Sequence, residues 1–193
     1  PATEPRIKLS PCGGRRFSTV ARPGAVPTVM RAIQIIEDEH RSLAAVLHGL
    51  LYLVREIHVR GEPPDFELLG AMLNYIEAFP ERFHHPKEDA YLFRKLRERD
   101  PSAGTLLDQL EAQHVEGRHL IQGLKDSLAR CEHENGNVGD FAQRAAEFAS
   151  FHWDHMQREE TEVMPRSRLH LTAQDWKEID AAAFPVAATS DLA

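Results

Sequence analysis

The chain has 193 residues, of which 42% are hydrophobic and 27% are charged, and its formal net charge is -7. This length accommodates one domain with a substantial core, and the acidic balance argues against a nucleic-acid-binding protein. The two cysteines provide neither a disulfide framework nor a cysteine-rich zinc site, and no apolar run approaches the roughly 20 residues of a membrane span.

Residues 1–28 differ in composition from the rest of the chain. They contain several prolines, the pair Gly13-Gly14 and scattered basic residues, without the periodicity of a helix or a strand. This composition predicts a flexible basic tail. The tail mildly resembles an organelle transit peptide, and Met30 is an equally good candidate for the natural start of the protein.

The first helix is predicted over about residues 29–60. Apolar side chains recur there at three- and four-residue steps, and His40 lies within the apolar stripe. Taken alone, a histidine in such a stripe is more often a hydrogen-bonded core residue than a metal ligand. His48 and His58 point away from the stripe and are predicted at or near the surface.

The second helix is predicted over about residues 66–99, after a break at Gly61-Glu62-Pro63-Pro64 and a capping Asp65. Pro80 and Pro86 lie within its apolar pattern, so we expect a kink or a break there. Its predicted inner face comprises Leu69, Met72, Leu73, Ile76, Phe79, Phe83, His84, Glu88, Leu92 and Leu96.

The third and fourth helices are predicted over about residues 102–131 and 138–164. In the third, His114 lies on the apolar face, and Gly117 leaves space beside it for a close neighbour or a small ligand. The fourth carries His152 and His155 on its inner face and is expected to end before Pro165.

A short fifth helix over about residues 172–183 and a loose C-terminal segment over residues 185–193 complete the chain. No strand-like alternation, glycine-rich phosphate loop or Gly-x-Ser-x-Gly motif occurs. The patterns predict an all-α protein with a flexible N-terminal tail. Residues 29–184 are expected to form an up-down four-helix bundle with a short C-terminal helix.

Two histidine–glutamate pairs carry the chemistry of the chain. His84 and Glu88, and again His155 and Glu159, stand four residues apart, so each pair points to one side of its helix. An imidazole and a carboxylate at that spacing can bind one metal ion. Either pair alone arises often by chance, whereas two pairs on facing helices make most of a dinuclear metal site inside a bundle.

The other two long helices add one inward imidazole each, His40 and His114. An ionised glutamate in an apolar interior is very costly unless it is paired or bound to metal, and no lysine or arginine shares these stripes. Metal ions are therefore the natural counter-charge. Two divalent ions bridged by both carboxylates suit iron best, although manganese and zinc accept similar ligands. Whether His85 or His152 is an additional ligand stays open at this point.

The ordered motif His40, His84-x-x-x-Glu88, His114, His155-x-x-x-Glu159 resembles that of the hemerythrin-like family, also called the HHE cation-binding domain. The similarity covers roughly residues 30–164 and includes the local run Phe83-His84-His85-Pro86-Lys87-Glu88. It implies an up-down four-helix bundle with an oxo- or hydroxo-bridged pair of irons. It also implies that the four histidines are terminal ligands and that the two glutamates bridge the metals.

One position departs from the oxygen-carrying members of that family, which have a second histidine four residues after the first on the third helix. Arg118 stands there, which argues against reversible oxygen storage. The remaining resemblance implies a protein that binds or reduces a small diatomic or peroxide ligand in a stress response. An iron-sensing or iron-handling module without turnover is the alternative, and a metal-free scaffold with satisfied core histidines is a third interpretation.

Further expectations concern the surroundings of the protein. We expect a cytoplasmic protein that binds neither nucleic acid nor membrane, because it is acidic, poor in cysteine and without a long apolar run. The sequence leaves open whether the protein turns over a substrate and whether it forms a homodimer.

Overall fold

The computed structural model describes residues 30–133 and 137–183, and every regular element in this part of the chain is a helix. The prediction of an all-α protein is therefore confirmed. The predicted basic tail, loop residues 134–136, Phe184 and the C-terminal segment lie outside the described residues.

Four long rods and one short helix make up this part of the chain. The first rod ends and the second begins at residues that suit a helix terminus: Gly61 adopts a positive φ of 72°, and the side chain of Asp65 accepts a hydrogen bond from the backbone of Leu68. The first rod is α1 (Arg31–Arg60), the second comprises α2 (Phe66–Phe79), α3 (His85–Lys87) and α4 (Arg94–Arg99), the third is α5 (Gly104–His133), the fourth comprises α6 (Val138–Arg158) and α7 (Met164–His170), and α8 (Ala173–Ala183) follows.

The four rods are neighbours around a shared interior. Helix α1 packs against α2 and α6, and α5 also packs against α2 and α6. The apolar stripe of each rod faces the interior, because an apolar helix face can be removed from water only by packing against another element. The chain is thus a helical bundle, and the up-down order of its rods stays a prediction.

Wider π-helical turns interrupt the second and fourth rods at Pro80–His84, Glu88–Phe93 and Glu159–Val163. A π turn accommodates an extra residue, so the helix that follows it is rotated relative to a regular 3.6-residue repeat. At the end of each π turn, two consecutive residues are buried. These are His84 and His85, Leu92 and Phe93, and Val163 and Met164.

The π turns overturn two predictions. Phe83, predicted on the inner face, is 58% exposed, because the extra residue between Pro80 and His84 turns it toward solvent. The fourth rod, predicted to end before Pro165, continues to His170. Pro165 lies in the first turn of α7, directly after a π turn, where a missing backbone N–H is tolerated.

The core consists of two apolar clusters separated along every rod by buried polar residues. On α1, for example, Ile36 belongs to the first cluster and Leu43 to the second, and His40 lies between them. On α5, His114 lies in the same way between Leu110 and Ile121. The predicted site therefore occupies a polar layer across the middle of the bundle.

Helix α8 closes the end of the bundle that holds the first cluster, and Trp176 and Ile179 are buried there as predicted. Asp175, which is 1% exposed, fastens the helix. Its carboxylate accepts hydrogen bonds from the Arg99 guanidinium at 2.9 and 3.0 Å and from the backbone of Thr172 at 2.9 Å. The hydrogen bond from Arg99 is the main reason why the pKa of Asp175 lies well below its ordinary value.

By length and composition alone, α1 is apolar enough to cross a membrane, a property that it shares with the core helices of many bundles. Its buried side chains, among them Leu43, Leu47, Leu50 and Val54, pack into the second cluster. The absence of membrane contact stays a prediction.

Candidate metal centre

Four buried histidines form two pairs across the middle of the bundle. Nε2 of His40 lies 3.1 Å from Nε2 of His84, and Nε2 of His114 lies 3.2 Å from Nε2 of His155. We call His40 and His84 pair A, and His114 and His155 pair B. Each pair joins two different rods, so the packing of the bundle sets the distance between the nitrogen atoms.

Glu88 and Glu159 lie between the two pairs. Oε2 of Glu88 is 3.4 Å from Nε2 of His84 in pair A and 3.7 Å from Nε2 of His114 in pair B. The two oxygens of Glu159 lie 3.1 Å and 3.2 Å from the nearest Nε2 atoms of pairs A and B. The structure thus brings together all six side chains that the sequence predicts as ligands, with both carboxylates in contact with both pairs.

Each of the four histidines also has an acceptor for its other ring nitrogen. Such an acceptor holds the proton on Nδ1 and leaves the Nε2 lone pair facing the interior. The apolar stripes do not reveal these acceptors, but each is the sequence neighbour of a predicted ligand. Nδ1 of His84 donates to Glu39 at 2.8 Å, Nδ1 of His114 to Asp89 at 2.9 Å, Nδ1 of His155 to Gln113 at 3.1 Å and Nδ1 of His40 to Glu160 at 3.0 Å.

These hydrogen bonds run in one direction around the bundle. The acceptor on the first rod binds the histidine of the second rod, and the acceptor on the second rod binds the histidine of the third. The acceptor on the third rod likewise binds the histidine of the fourth, and the acceptor on the fourth binds the histidine of the first. We call this closed sequence of four cross-rod hydrogen bonds the belt. Because every imidazole is held by a different rod from its own, its orientation depends on the whole bundle.

The carboxylates of the centre attract positive charge. Burial raises the pKa of Glu88 well above its usual range, and the negative charge of Glu159 adds to this effect. Burial also disfavours ionised Glu159, but the neighbouring histidines, His155 foremost, hold its pKa well below the ordinary value. Burial lowers the pKa of His40 and of His114, yet nearby carboxylates outweigh it and raise both to about 9. The cluster therefore favours bound positive charge.

The donor atoms fit a pair of divalent cations. Oε2 of Glu88 and both carboxylate oxygens of Glu159 are buried without a hydrogen-bond partner in the part of the chain that the structure describes, which is costly for an ionised carboxylate. The facing Nε2 atoms of each pair also repel unless a proton or a metal ion lies between them. Nitrogens that share one metal at bonds of about 2.1 Å lie roughly 3.0–3.4 Å apart, as those of both pairs do.

Two groups of four donors emerge from this geometry. Pair A with both glutamates forms one group, and pair B with the same glutamates forms the other. The donor atoms of each group lie within 4.8 Å of one another, and all of these residues are buried. Two metals sharing two carboxylates would use all six side chains, and this assignment stays a prediction.

His85 is an additional buried imidazole at pair B. Its ring stacks on that of His114 with the centroids 3.9 Å apart and the planes at 14°. One donor nitrogen of His85 lies within 4.8 Å of donor nitrogens of His114 and His155, so His85 is a candidate third imidazole for pair B. A uniform helical period places residue 85 beside the inner face, and the π turn at Pro80–His84 brings it inward.

His152 is buried one turn before His155, but no group of converging donor atoms in the described chain includes it. Its ring packs against Phe148 and Phe151, with the centroids 4.4 and 5.4 Å apart. Burial, followed by the proximity of His155 and His85, lowers the pKa of His152 to about 3. The ring is therefore neutral at physiological pH. His48 and His58 lie on the surface, as predicted, and His119 also lies there.

The family model of the hemerythrin HHE cation-binding domain matches residues 31–167 of the chain. The matched segment begins with α1, extends into α7 and contains all six predicted ligands. No curated protein matches the chain. Cation binding by the buried histidines and glutamates is therefore the function on which the family match and the geometry agree.

Proposed function

The chain belongs to the hemerythrin HHE cation-binding domain family, and from this premise we propose that it is a non-haem di-iron protein that binds or reduces a small oxidant in a stress response. The oxidant would be oxygen, peroxide or nitric oxide. The observation that carries the proposal is the position of Glu88 and Glu159 between two histidine pairs, within 3.7 Å of both.

Iron suits both this donor set and this chemistry. Mixed imidazole and carboxylate ligands accept iron, manganese or zinc, but one-electron chemistry needs a metal that changes its oxidation state, which zinc does not. When bound, the metals would supply the electrons and the open coordination positions. The protein would supply orientation through the belt and exclusion of water through the apolar clusters on both sides of the centre.

A cavity beside pair A supports access by a small molecule. It has a volume of about 230 Å³ and reaches the buried ring of His40 from the surface between α1 and α6. Glu160, the acceptor for His40, stands at this cavity with its side chain 47% exposed. The cavity is lined by His40, Arg41, Ala44, Trp153, Met156, Gln157 and Glu160.

Metal counting combined with absorption spectroscopy tests the proposal. Protein produced with ample iron should carry about two irons per chain, as dinuclear bundle centres do, and its spectrum should change on addition of peroxide, nitric oxide or oxygen. Glu88→Gln should lose most of the iron, whereas Glu116→Gln, an exposed glutamate on α5, should retain it. Protein without iron, or full iron in Glu88→Gln, would contradict the proposal.

A second candidate function is an iron-sensing or iron-handling module without turnover. It is favoured by the construction of the centre from all four rods, because metal binding to such a site also stabilises the folded bundle. Iron-loaded protein would then resist heat and protease far better than metal-free protein, while its spectrum would stay unchanged with all three oxidants. A cytoplasmic location and independence of nucleic acid belong to both proposals.

A further inference from the structure

Gly117 and His152 face each other one turn beyond pair B. Gly117 follows His114 by three residues on α5, and His152 precedes His155 by three residues on α6. A Cβ atom added to Gly117 would lie 3.6 Å from Cε1 of His152, in van der Waals contact. The imidazole of His152 therefore lies directly against the backbone of α5, in the space that Gly117 leaves beside pair B.

The Nδ1 atom of His152 is a buried polar atom that this packing does not explain. It is buried, and it has no hydrogen-bond partner among residues 30–133 and 137–183. Leaving a buried ring nitrogen without a partner is energetically costly. The Nδ1 atoms of the four predicted ligands differ, since each of them has an acceptor.

A purely structural role does not account for a histidine here. The surrounding ring contacts are aromatic, from Phe148 and Phe151, and an apolar side chain of similar size would fill this position without leaving a polar atom unpaired. A ligand role is also disfavoured, because the described groups of converging donors at pair B include His85, His114 and His155 but not His152.

We propose that His152 is the hydrogen-bonding residue for a small molecule that binds at pair B, through the ring nitrogen that the described chain leaves without a partner. The ligand class is a small anion or oxidant of two or three atoms with an exposed acceptor atom. The neutral imidazole would donate its N–H to that atom and hold it in one orientation. This inference rests on the proposed function, because the small molecule needs a metal at pair B.

Azide binding to the oxidised, iron-loaded protein tests this inference, since azide is a small anion with terminal acceptor atoms. The decisive variants are His152→Leu and His152→Asn, whose side chains are similar in shape. Asparagine keeps a donor close to the position of Nδ1, whereas leucine has none. His119→Leu on α5, an exposed histidine, is the matched control. Iron per chain, azide affinity and azide dissociation rate are measured for each protein.

We expect His152→Leu to keep its iron but to bind azide about tenfold more weakly, mainly through faster dissociation. His152→Asn should stay within about threefold of the unmodified protein, since it retains the hydrogen bond. Equal azide affinity in the leucine and asparagine variants, at equal iron content, would overturn the role of His152. Unmodified protein that carries no iron or binds no azide would overturn the proposed function itself.

Discussion

Nδ1 of His155 donates to the amide oxygen of Gln113 at 3.1 Å, whereas the other three histidines of the centre donate to carboxylates. The guanidinium of Arg158 lies 3.5 Å from the same amide oxygen. A carboxylate partner raises the basicity of a metal-binding imidazole, and a neutral amide does so less. The imidazoles of pair A should therefore be the more basic ligands, and the two imidazoles of pair B would hold a metal more weakly.

The first prediction concerns the acceptors of the belt. Glu39→Gln should weaken metal binding at pair A about 10–100-fold, because it replaces the carboxylate partner of His84 with an amide. Gln113→Glu should act in the opposite direction at pair B. Competition with a chelator, followed by metal counting, measures both effects. Glu116→Gln is the control, and equal metal retention in Glu39→Gln and the control would contradict the prediction.

The second prediction concerns His85. If this ring supplies the third imidazole of pair B, His85→Leu should lower the metal content from about two toward one per chain. The metal that remains should be the one at pair A, whose donors do not include His85. His48→Leu, an exposed histidine on α1, should have no effect. Two tightly held metals in His85→Leu would exclude this role.

The third prediction tests the rotation that the π turns impose on the second rod. Phe93 is fully buried and Phe83 is 58% exposed. In metal-free protein, Phe93→Ala should lower the free energy of unfolding by about 3–5 kcal/mol, while Phe83→Ala should change it by less than about 0.5 kcal/mol. Chemical denaturation measures both. A large loss from Phe83→Ala would mean that the uniform helical period is right after all.

Sequence periodicity was sufficient for the parts of the fold that follow a regular repeat. The helical character of residues 31–60 and 104–133, the cap at Asp65 and the inward position of His40 and His114 all follow from a 3.6-residue period. The confirmed all-α class follows from the same pattern. These features can be predicted without knowledge of tertiary contacts, because the helix period alone determines which side chains share the buried face.

The same reasoning failed where the period changes. A π turn is a response to packing, and Pro80 and Pro86 indicate an irregularity without its type. A uniform period therefore places Phe83 inside, and Pro165 alone ends the fourth rod too early. Whether His85 faces the centre depends on the same rotation, so a uniform period leaves its role as a ligand open. The acceptors Glu39 and Gln113 lie beside the stripes, so only the contacts between rods identify them, although their position next to a predicted ligand is a usable signal.

The fourth prediction concerns the attachment of α8. Asp175→Asn should lower the free energy of unfolding by about 1–3 kcal/mol at pH 7, because it weakens hydrogen bonds to a charged group. The pKa of Asp175 is depressed, so its stabilisation is present above the ordinary value of about 3.9 and is lost as the pH falls through the folded-state pKa. The difference between variant and parent should therefore shrink in acid.

Denaturation at pH 7, pH 4 and pH 2.5 measures this dependence. Asp154→Asn, an exposed aspartate on α6, is the control and should match the parent protein throughout. A difference for Asp175→Asn that stays constant from neutral to acidic pH would show that the carboxylate charge does not contribute to holding α8.

The belt has a consequence for how the protein opens. Because each rod both supports the imidazole of the next rod and depends on the previous one, moving any single rod breaks two of the four links. Without bound cations, the crowded charges at this level oppose closure, and the apolar ends on either side should exchange their amide hydrogens independently. With cations in place, the amide hydrogens at both ends should exchange as one cooperative unit. Hydrogen-exchange protection of the backbone far from the centre should then report whether the centre is occupied.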